Sequence, residues 1–551
     1  MRGVELNLRN VLSLLRESVV DMAARQVTDS SRADAGGIIA ADLGVADPSH
    51  GGTGWYVASS LLLLAAAPGA EINLPPDLRD RAAMAAGYML RRQNPSGLTD
   101  LLGCNYDSAP DTAFTLQMLC EAVAAARQAG SSDLAGILAD VERFIRRAVP
   151  GVIAGGFHTP NHRWVIAAGL ASAKAILPDL DVRAGIEAYL AEGIDLDPDG
   201  FYIEHSAAVY DAVCDRAMLL LHEHWKWPDA LPAVDRNLQL NLRLLNADGT
   251  IETGLSRRQD VDTRSVPLRL APCYLQAASL LKNASFAAAA DLLWRAAGPS
   301  RDREGMFWLA AVLRRFGGAG GHAAGVPDSF RVHLAHNGLV RIRRGRFSAS
   351  VFRGTQRLLS ANSGEARLDG LRIAQSYFGI GNFVSEEMSV DERAVTLRFA
   401  GAARRRPGYE MPLGRPVAHD RWEAALADRR IRPLPPCAGE LTIREIADGL
   451  ELRYRTPDAH GGVLTQIALD FAAGGVWETD DCALKPVAGQ AIILRGRQGT
   501  MRYGADAIAV GPGADAHRTW HMRDATPAGG AVRVLIPLVT PVDHTLLIRG
   551  R

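Results

Sequence analysis

Over roughly the first 315 positions, apolar residues recur at i, i+3 and i+4 in segment after segment, a period that predicts α-helices. Helices are expected to begin near Leu6, Gly54, Pro76, Asp111, Ser132, Pro160, Val182, Ser206, Pro232, Pro267, Ala284 and Arg303. From Gly54 onward every second start (near 54, 111, 160, 206, 267 and 303) repeats at roughly 50 residues. That is a helical hairpin repeat, which can stack as an open solenoid or close into a toroid. The connections alternate in character. Ala129–Ser132 and Leu177–Asp181 are short and plain. Asp47–Trp55, Gln93–Asp111, Gly151–Trp164, Asp195–Ser206 and Asp248–Thr263 are long and rich in Gly, His, Asn, aromatic and charged residues. Alternation of antiparallel helices puts all the long loops at one end of the array, where function is expected.

Past Phe316 the period changes to two. Gly317–Val326 reads as a Gly/Ala-rich linker, followed by strand candidates at 339–342, 347–352, 441–446, 450–454, 462–471, 490–495, 507–510, 519–522, 532–538 and 545–548. Arg344-Gly345 and Asp448-Gly449 supply hairpin turns. Arg404–Arg406 and Asp428–Pro436 read as loops. The expected division is 1–316 helical, 317–326 linker and 327–551 antiparallel sandwich.

Composition narrows the partners. Basic and acidic residues balance at 61 each, so no global field points to nucleic acid. No apolar run is long enough to span a membrane, and Leu61–Ala67 reads as helix core. Residues 1–20 show no signal peptide, which gives a cytoplasmic expectation. Lysine occurs only at Lys174, Lys226, Lys282 and Lys485. The arginine that replaces it suits carboxylate or sulfate binding, although a GC-rich genome produces the same bias. Cys104, Cys120, Cys214, Cys273, Cys437 and Cys482 form no C-x-x-C pair and read as reduced thiols.

The candidate chemistry lies between Gly155 and Tyr210. Thr159 is a helix N-cap candidate with Pro160 at the first helical position, which puts Asn161 and His162 in a first turn whose free N–H groups and dipole favour an anion. Ser206 is a second N-cap candidate, with Tyr210 one turn inside its helix. Both N-termini fall at the same end, so an amide, an imidazole and a phenol can meet on one anionic ligand. Each residue also has a duller reading. Tyr210 heads an apolar stripe through Val213, Cys214, Ala217, Met218 and Leu221, and His162 alone would be a capping or packing histidine. Trp164 reads as core. Asp111 serves equally as an N-cap, and His50 and Trp55 are a sugar contact and platform or ordinary loop structure. Glu204, His205 and Tyr202 flank the second N-terminus, and Arg163, Arg257, Arg258 and Arg264 are cations for acidic groups or solvated loop arginines. His222-Glu223-His224 puts its imidazoles on different helix faces, so a metal there has little support, and His333 with His336 is only a weak alternative. Neither a P-loop nor Gly-x-Ser-x-Gly occurs.

Thr159-Pro-Asn-His-Arg-Trp164, Asp199-Gly-x-Tyr-x-Glu-x-Ser-x-x-x-Tyr210 and Asn105-Tyr-Asp-Ser-Ala-Pro-Asp-Thr-Ala-Phe114 resemble the heparinase II/III-like polysaccharide lyases. The resemblance implies an α+β multidomain chain, an incomplete (α/α) toroid followed by an antiparallel β-sandwich. It implies β-elimination at a uronic acid in a poly- or oligosaccharide, leaving a C4–C5 double bond. Its catalytic residues fall on Asn161, His162 and Tyr210, with His336 a candidate from the sandwich, and Asn105, Asp111, His50, Trp55, Arg163, Tyr202, Glu204, His205 and Arg264 as substrate contacts. No cofactor is required; a structural metal in the sheet domain, the oligomeric state and the particular glycan stay open. A uronate C5-epimerase, a toroidal glycoside hydrolase using a pair among Asp111, Asp199, Glu204 and Asp211, and a binding module without catalysis are the competing readings.

Overall fold

A computed structural model describes every residue except 1–4, 299–301, 319–324, 376, 378–379, 402–407, 435–436 and 459–460, and leaves aside the side chains at 67–68. Two compact units emerge, Met1–Leu245 with Gly249–Pro327, and Asn246–Asp248 with Asp328–Arg551. Most of the expected linker, and all of Arg404–Arg406, lie outside the described residues.

The first unit is helical. Its helices are α1 (Leu8–Ala23), α2 (Thr53–Ala70), α3 (Leu78–Arg92), α4 (Ala109–Ala129), α5 (Ala135–Gly155), α6 (Pro160–Ile176), α7 (Arg183–Leu190), α8 (Tyr210–Leu220), α9 (Ala230–Leu244), α10 (Leu270–Leu281), α11 (Ala284–Ala297) and α12 (Arg303–Phe316). Each starts within four residues of its predicted position. The even-numbered helices form an inner ring in which each touches the next, and α12 packs on α2. Burial explains the sorting. Every residue from Asn161 to Ala173 in α6, Asp211 to Leu220 in α8 and Gly305 to Leu313 in α12 is buried, as a helix enclosed on all sides requires. Outer helices are amphipathic: α5 buries one stripe through Ile137, Val141, Phe144, Ala148 and Val152. The result is an α/α toroid. The long polar loops all lead into inner helices, so they share the end where those helices have their N-termini. A short hairpin, Thr99–Leu101 with Asn105–Ser108, stands in one of them.

The second unit is an antiparallel β-sandwich. One eight-stranded sheet runs Ala491–Ile493, Val532–Val539, Leu464–Phe471, Ala366–Gln375, Leu359–Ser363, Phe347–Phe352, Leu339–Arg344, Ser329–Leu334. A nine-stranded sheet runs Ala483–Leu484, Val476–Glu478, Gly499–Tyr503, Asp506–Gly511, Asp543–Gly550, Gly449–Arg455, Gly439–Ile446, Ala394–Phe399, Glu387–Val390. Leu359, Ile373, Leu397, Leu452, Ile508 and Leu546 belong to the shared apolar core. The pairing of Ala491–Ile493 with Val532–Val539 is parallel, a departure from the expected all-antiparallel pattern. Residues 519–522 form no strand; they run as irregular chain. Within the expected loop Asp428–Pro436, Ile431–Pro433 pairs with Gly408–Glu410. Asn246 lies against the eight-stranded sheet, where its Oδ1 accepts from Arg341 at 3.1 Å and Ser348 at 2.9 Å. None of the six cysteines is joined in a disulfide among the described residues, and Cys104 and Cys482 are exposed.

Candidate active site

The first turn of α6 is built as the residues dictate. Thr159 is the N-cap with extended backbone (φ −134°, ψ 148°) and Pro160 occupies the first helical position. Asn161, 1% exposed, donates from Nδ2 to Glu204 Oε2 at 2.7 Å. Its Oδ1 and the Nδ1 of His162 are buried and meet no hydrogen-bond partner among the described residues. Both atoms are therefore available to a ligand. Burial, with the nearby His158 charge, depresses His162 to about 4, so its imidazole is neutral at neutral pH and free to accept a proton. His158 stands edge-on at 4.7 Å between ring centroids and is exposed.

Helix α8 begins at Tyr210, one turn later than predicted, because Ser206 closes a separate turn first. The Ser206 carbonyl accepts from the backbone N–H of Tyr210 and Asp211, both at 3.0 Å, and its Oγ accepts from Tyr210 N–H at 3.2 Å. The phenol oxygen of Tyr210 accepts from Gln259 Nε2 at 2.8 Å and Arg258 Nη2 at 3.5 Å, and the Arg258 guanidinium lies 4.8 Å from its ring centroid. Arg258 Nη1 also sits 3.4 Å from Glu204 Oε1. A continuous chain thus runs Asn161, Glu204, Arg258, Tyr210. Burial pushes the Glu204 carboxyl above its ordinary range, opposed by Asn161 and Arg258. Asp260 holds the loop in register by accepting from Ser206 Oγ at 2.9 Å, Ser256 Oγ at 2.5 Å and Ala208 N–H at 3.3 Å.

A second group adjoins. His50 stacks on Phe114 with centroids 4.8 Å apart, and Phe114 meets His162 edge-on at 6.1 Å. His50 Nδ1 is 3.7 Å from Asp111 Oδ1, and Asp111 Oδ2 accepts from Asn105 Nδ2 at 2.9 Å and Ser108 Oγ at 2.5 Å. The N-cap of α4 is Ser108, not Asp111, since Ser108 Oγ receives the Asp111 N–H.

Several expected contacts prove structural. Trp55 is 1% exposed and donates from Nε1 to the Arg303 carbonyl, so it is core and no sugar platform. Tyr202 is 1% exposed and donates to Asp215. Arg163 is spent on Glu192 at 2.8 Å and Asp195 at 3.0 Å, tying α6 to the loop after α7. His205, with φ +53°, stacks on Phe201 and lies 3.7 Å from Asp197. Trp164 is core as expected, donating to Asp195. Arg264 is half-buried in the loop before α10, and His336 is exposed on the turn between Ser329–Leu334 and Leu339–Arg344 of the sandwich unit. Sequence reasoning missed Gln259 and His158. Gln259 follows two flagged arginines in a flagged loop, and His158 lies inside the motif, but nothing in their spacing distinguishes them. Among the described residues no group of three or more His, Cys, Asp or Glu could hold a metal ion, and no helix is long and apolar enough to cross a membrane.

No family model and no curated protein matches the chain. Solved structures do. A heparinase III with methylated lysines superposes with a TM-score of 0.54 at 9% identity, covering 90% of this chain and 76% of that one. A second heparinase III structure gives 0.52 at 9% identity over 90% and 77%. A tyrosine-to-alanine variant of the chondroitin AC lyase of Streptomyces coelicolor A3 gives 0.51 at 12% identity, covering 98% and 79%. The fold is that of the polysaccharide lyases. At these identities the likeness is one of architecture, and the case for chemistry rests on the side chains above.

Proposed function

We propose that the chain is a lyase that cleaves a glycosidic bond to a uronic acid by β-elimination. The observation that carries this reading is the pair of buried, unpaired acceptors, Asn161 Oδ1 and His162 Nδ1, joined through Glu204 and Arg258 to the phenol of Tyr210. Elimination needs the uronate carboxylate neutralised, because the C5 proton is weakly acidic beside a bare charge. The N-terminus of α6, where Asn161 sits, and the Arg258 guanidinium supply the preorganised donors and positive field. The neutral His162 accepts the C5 proton, the C4–O bond breaks, and the Tyr210 hydroxyl protonates the leaving oxygen. The phenol is suited to this: its oxygen accepts from both Gln259 and Arg258, which leaves its own proton to give. A hydrolytic carboxylate pair has less support, since Asp211 is buried and held by Asn237 and Asn241, and Asp111 by Asn105 and Ser108. The polymers in the names of the structural neighbours, heparin-type and chondroitin-type chains, head the list of substrates to try.

The test is product mass on a panel of uronic-acid glycans. A lyase product is short of the hydrolytic product by one water; hydrolytic masses, or an unchanged chain with inverted C5, would contradict the proposal.

A further inference from the structure

The sandwich unit carries a surface loop that the proposed chemistry does not use. It joins Asp506–Gly511 to Val532–Val539 and runs as irregular chain over 512–531. Trp520 stands on it with 69% of its surface exposed. The residues on either side are held inward. His517 Nδ1 accepts from the Thr519 N–H at 3.1 Å, which leaves its Nε2–H to donate to the Thr465 carbonyl at 3.0 Å. Met522 is fully buried in an apolar cluster with Ala374 and Ala525. Thr465 and Ala374 lie on adjacent strands of the eight-stranded sheet, so the loop is clamped to that sheet before and after the indole. Arg533 ties the returning chain by donating to the carbonyls of Thr526 and Pro527. The exposure of Trp520 is therefore built into a tied-down loop and is not the fraying of a free one.

Its charged neighbours select the ligand. Arg518 and Arg523, with side chains 61% and 88% exposed, flank Trp520 in the chain. Arg518 contacts Asp515, and Arg523 Nε is 4.0 Å from Asp524. Asp515 also meets Arg495 at 2.9 Å. That arginine belongs to a segment paired with the loop, where Gly513 N–H donates to the Gly496 carbonyl at 2.9 Å and Ala514 N–H to the Leu494 carbonyl at 3.0 Å. Over 494–498 and 512–531, Arg495, Arg497, Arg518 and Arg523 outnumber Asp515 and Asp524, so the patch is net positive. An exposed indole beside guanidinium groups matches a sugar acid: the C–H face of the ring covers the indole, and the carboxylate or sulfate pairs with arginine. Single-stranded nucleic acid fits less well, because it stacks on successive aromatic plates and Trp520 is the sole Trp, Tyr or Phe in 512–531. Resting on the lyase reading for the class of ligand, we propose that Trp520, Arg518 and Arg523 form a second glycan contact on the sandwich unit. It holds one acidic unit of a polysaccharide and uses none of the residues of the Asn161–Tyr210 site. Its work is retention of the polymer, not turnover.

Surface plasmon resonance of the full chain on immobilised heparin and chondroitin sulfate reads the contact, in the Tyr210→Phe background so that the surface is not consumed. Trp520→Ala is expected to weaken capture at least ~10-fold, while Trp520→Tyr, which keeps a stacking face, stays within about 2-fold. The double variant Arg518→Ala, Arg523→Ala is expected to lose a similar factor at low salt and less as salt rises. With Tyr210 restored, turnover of a uronate tetrasaccharide should be the same with and without Trp520→Ala. Capture of neither polymer, capture unmoved by Trp520→Ala, or an equal loss of tetrasaccharide turnover would overturn the contact. Tighter capture of oligothymidylate than of either glycan would also overturn it. A protein that captures the polymers through Trp520 yet forms no C4–C5 double bond would defeat the lyase reading and leave this contact standing; elimination together with capture that ignores Trp520 would do the reverse.

Discussion

Glu304 and Glu204 are both largely buried carboxylates of the helical unit, and their surroundings drive them in opposite directions. Burial alone would raise Glu304, but Arg216 and Arg269, at 2.5 and 2.7 Å, hold it down at about 2. Arg216 also donates to Gln117, and Arg269 contacts Asp302, so the charges around Glu304 close on one another. Around Glu204 a single, part-exposed arginine stands at 3.4 Å; burial wins and the carboxyl is pushed up. Beside it lie the unpaired atoms of Asn161 and His162. Around Glu304 the charges close on one another, while beside Glu204 two adjacent acceptors, Asn161 Oδ1 and His162 Nδ1, are left for a ligand.

The comparison can be broken most forcefully at Tyr210. Tyr210→Phe should lower elimination by ~10²–10⁴-fold, the usual contribution of a positioned acid or base, with circular dichroism and melting temperature little changed. Unaltered turnover would place the chemistry elsewhere. On the closed side, Glu304→Gln strands the buried Arg216 guanidinium and leaves Arg269 with Asp302 alone, and should cost about 3–5 kcal/mol at neutral pH by urea denaturation.

The pH dependences should then be opposite. The Glu304 carboxyl lies at about 2 in the fold against an ordinary 4.5, so its stabilisation, about 3 kcal/mol, is complete above 4.5 and lost as pH falls toward 2. The Glu204 value is raised from 4.5, so the fold is favoured below 4.5 and stability declines as pH climbs through the raised value. Glu204→Gln should remove that decline, and Glu304→Gln should remove the acid-side loss; matching slopes in the two variants would refute the contrast. The smallest effect is expected at Trp55→Phe, which forfeits one hydrogen bond to Arg303 and should cost about 1 kcal/mol with no change in KM for any glycan.

The helical half was legible because its two signals agreed. The starts near 54, 111, 160, 206, 267 and 303 all became inner helices, and the composition of the loops before them told one end from the other. The sheet half was read less completely. Residues 366–375 escaped because the alternation of Ala366 and Leu368 with Arg367 and Asp369 changes phase at Gly370, where the register with both neighbouring strands shifts. The place of Asn161 and His162 in the first turn of α6 was readable because the Thr-Pro pair fixes where the helix starts. Trp55, Tyr202 and Arg163 were misread because residue type and loop proximity do not reveal which way a side chain points. Gln259 was unreadable for the same reason: its role comes from Asp260 pinning the loop against Ser206, a tertiary contact 54 residues apart in sequence.

The central claim is tested most directly by following ultraviolet absorbance from a new C4–C5 double bond, with wild-type protein and Tyr210→Phe side by side on a uronate-containing oligosaccharide. The account predicts steady growth for the wild type and a rate at least ~10²-fold lower for Tyr210→Phe at equal folded concentration. Bond cleavage without that absorbance, or equal growth in both proteins, would contradict it.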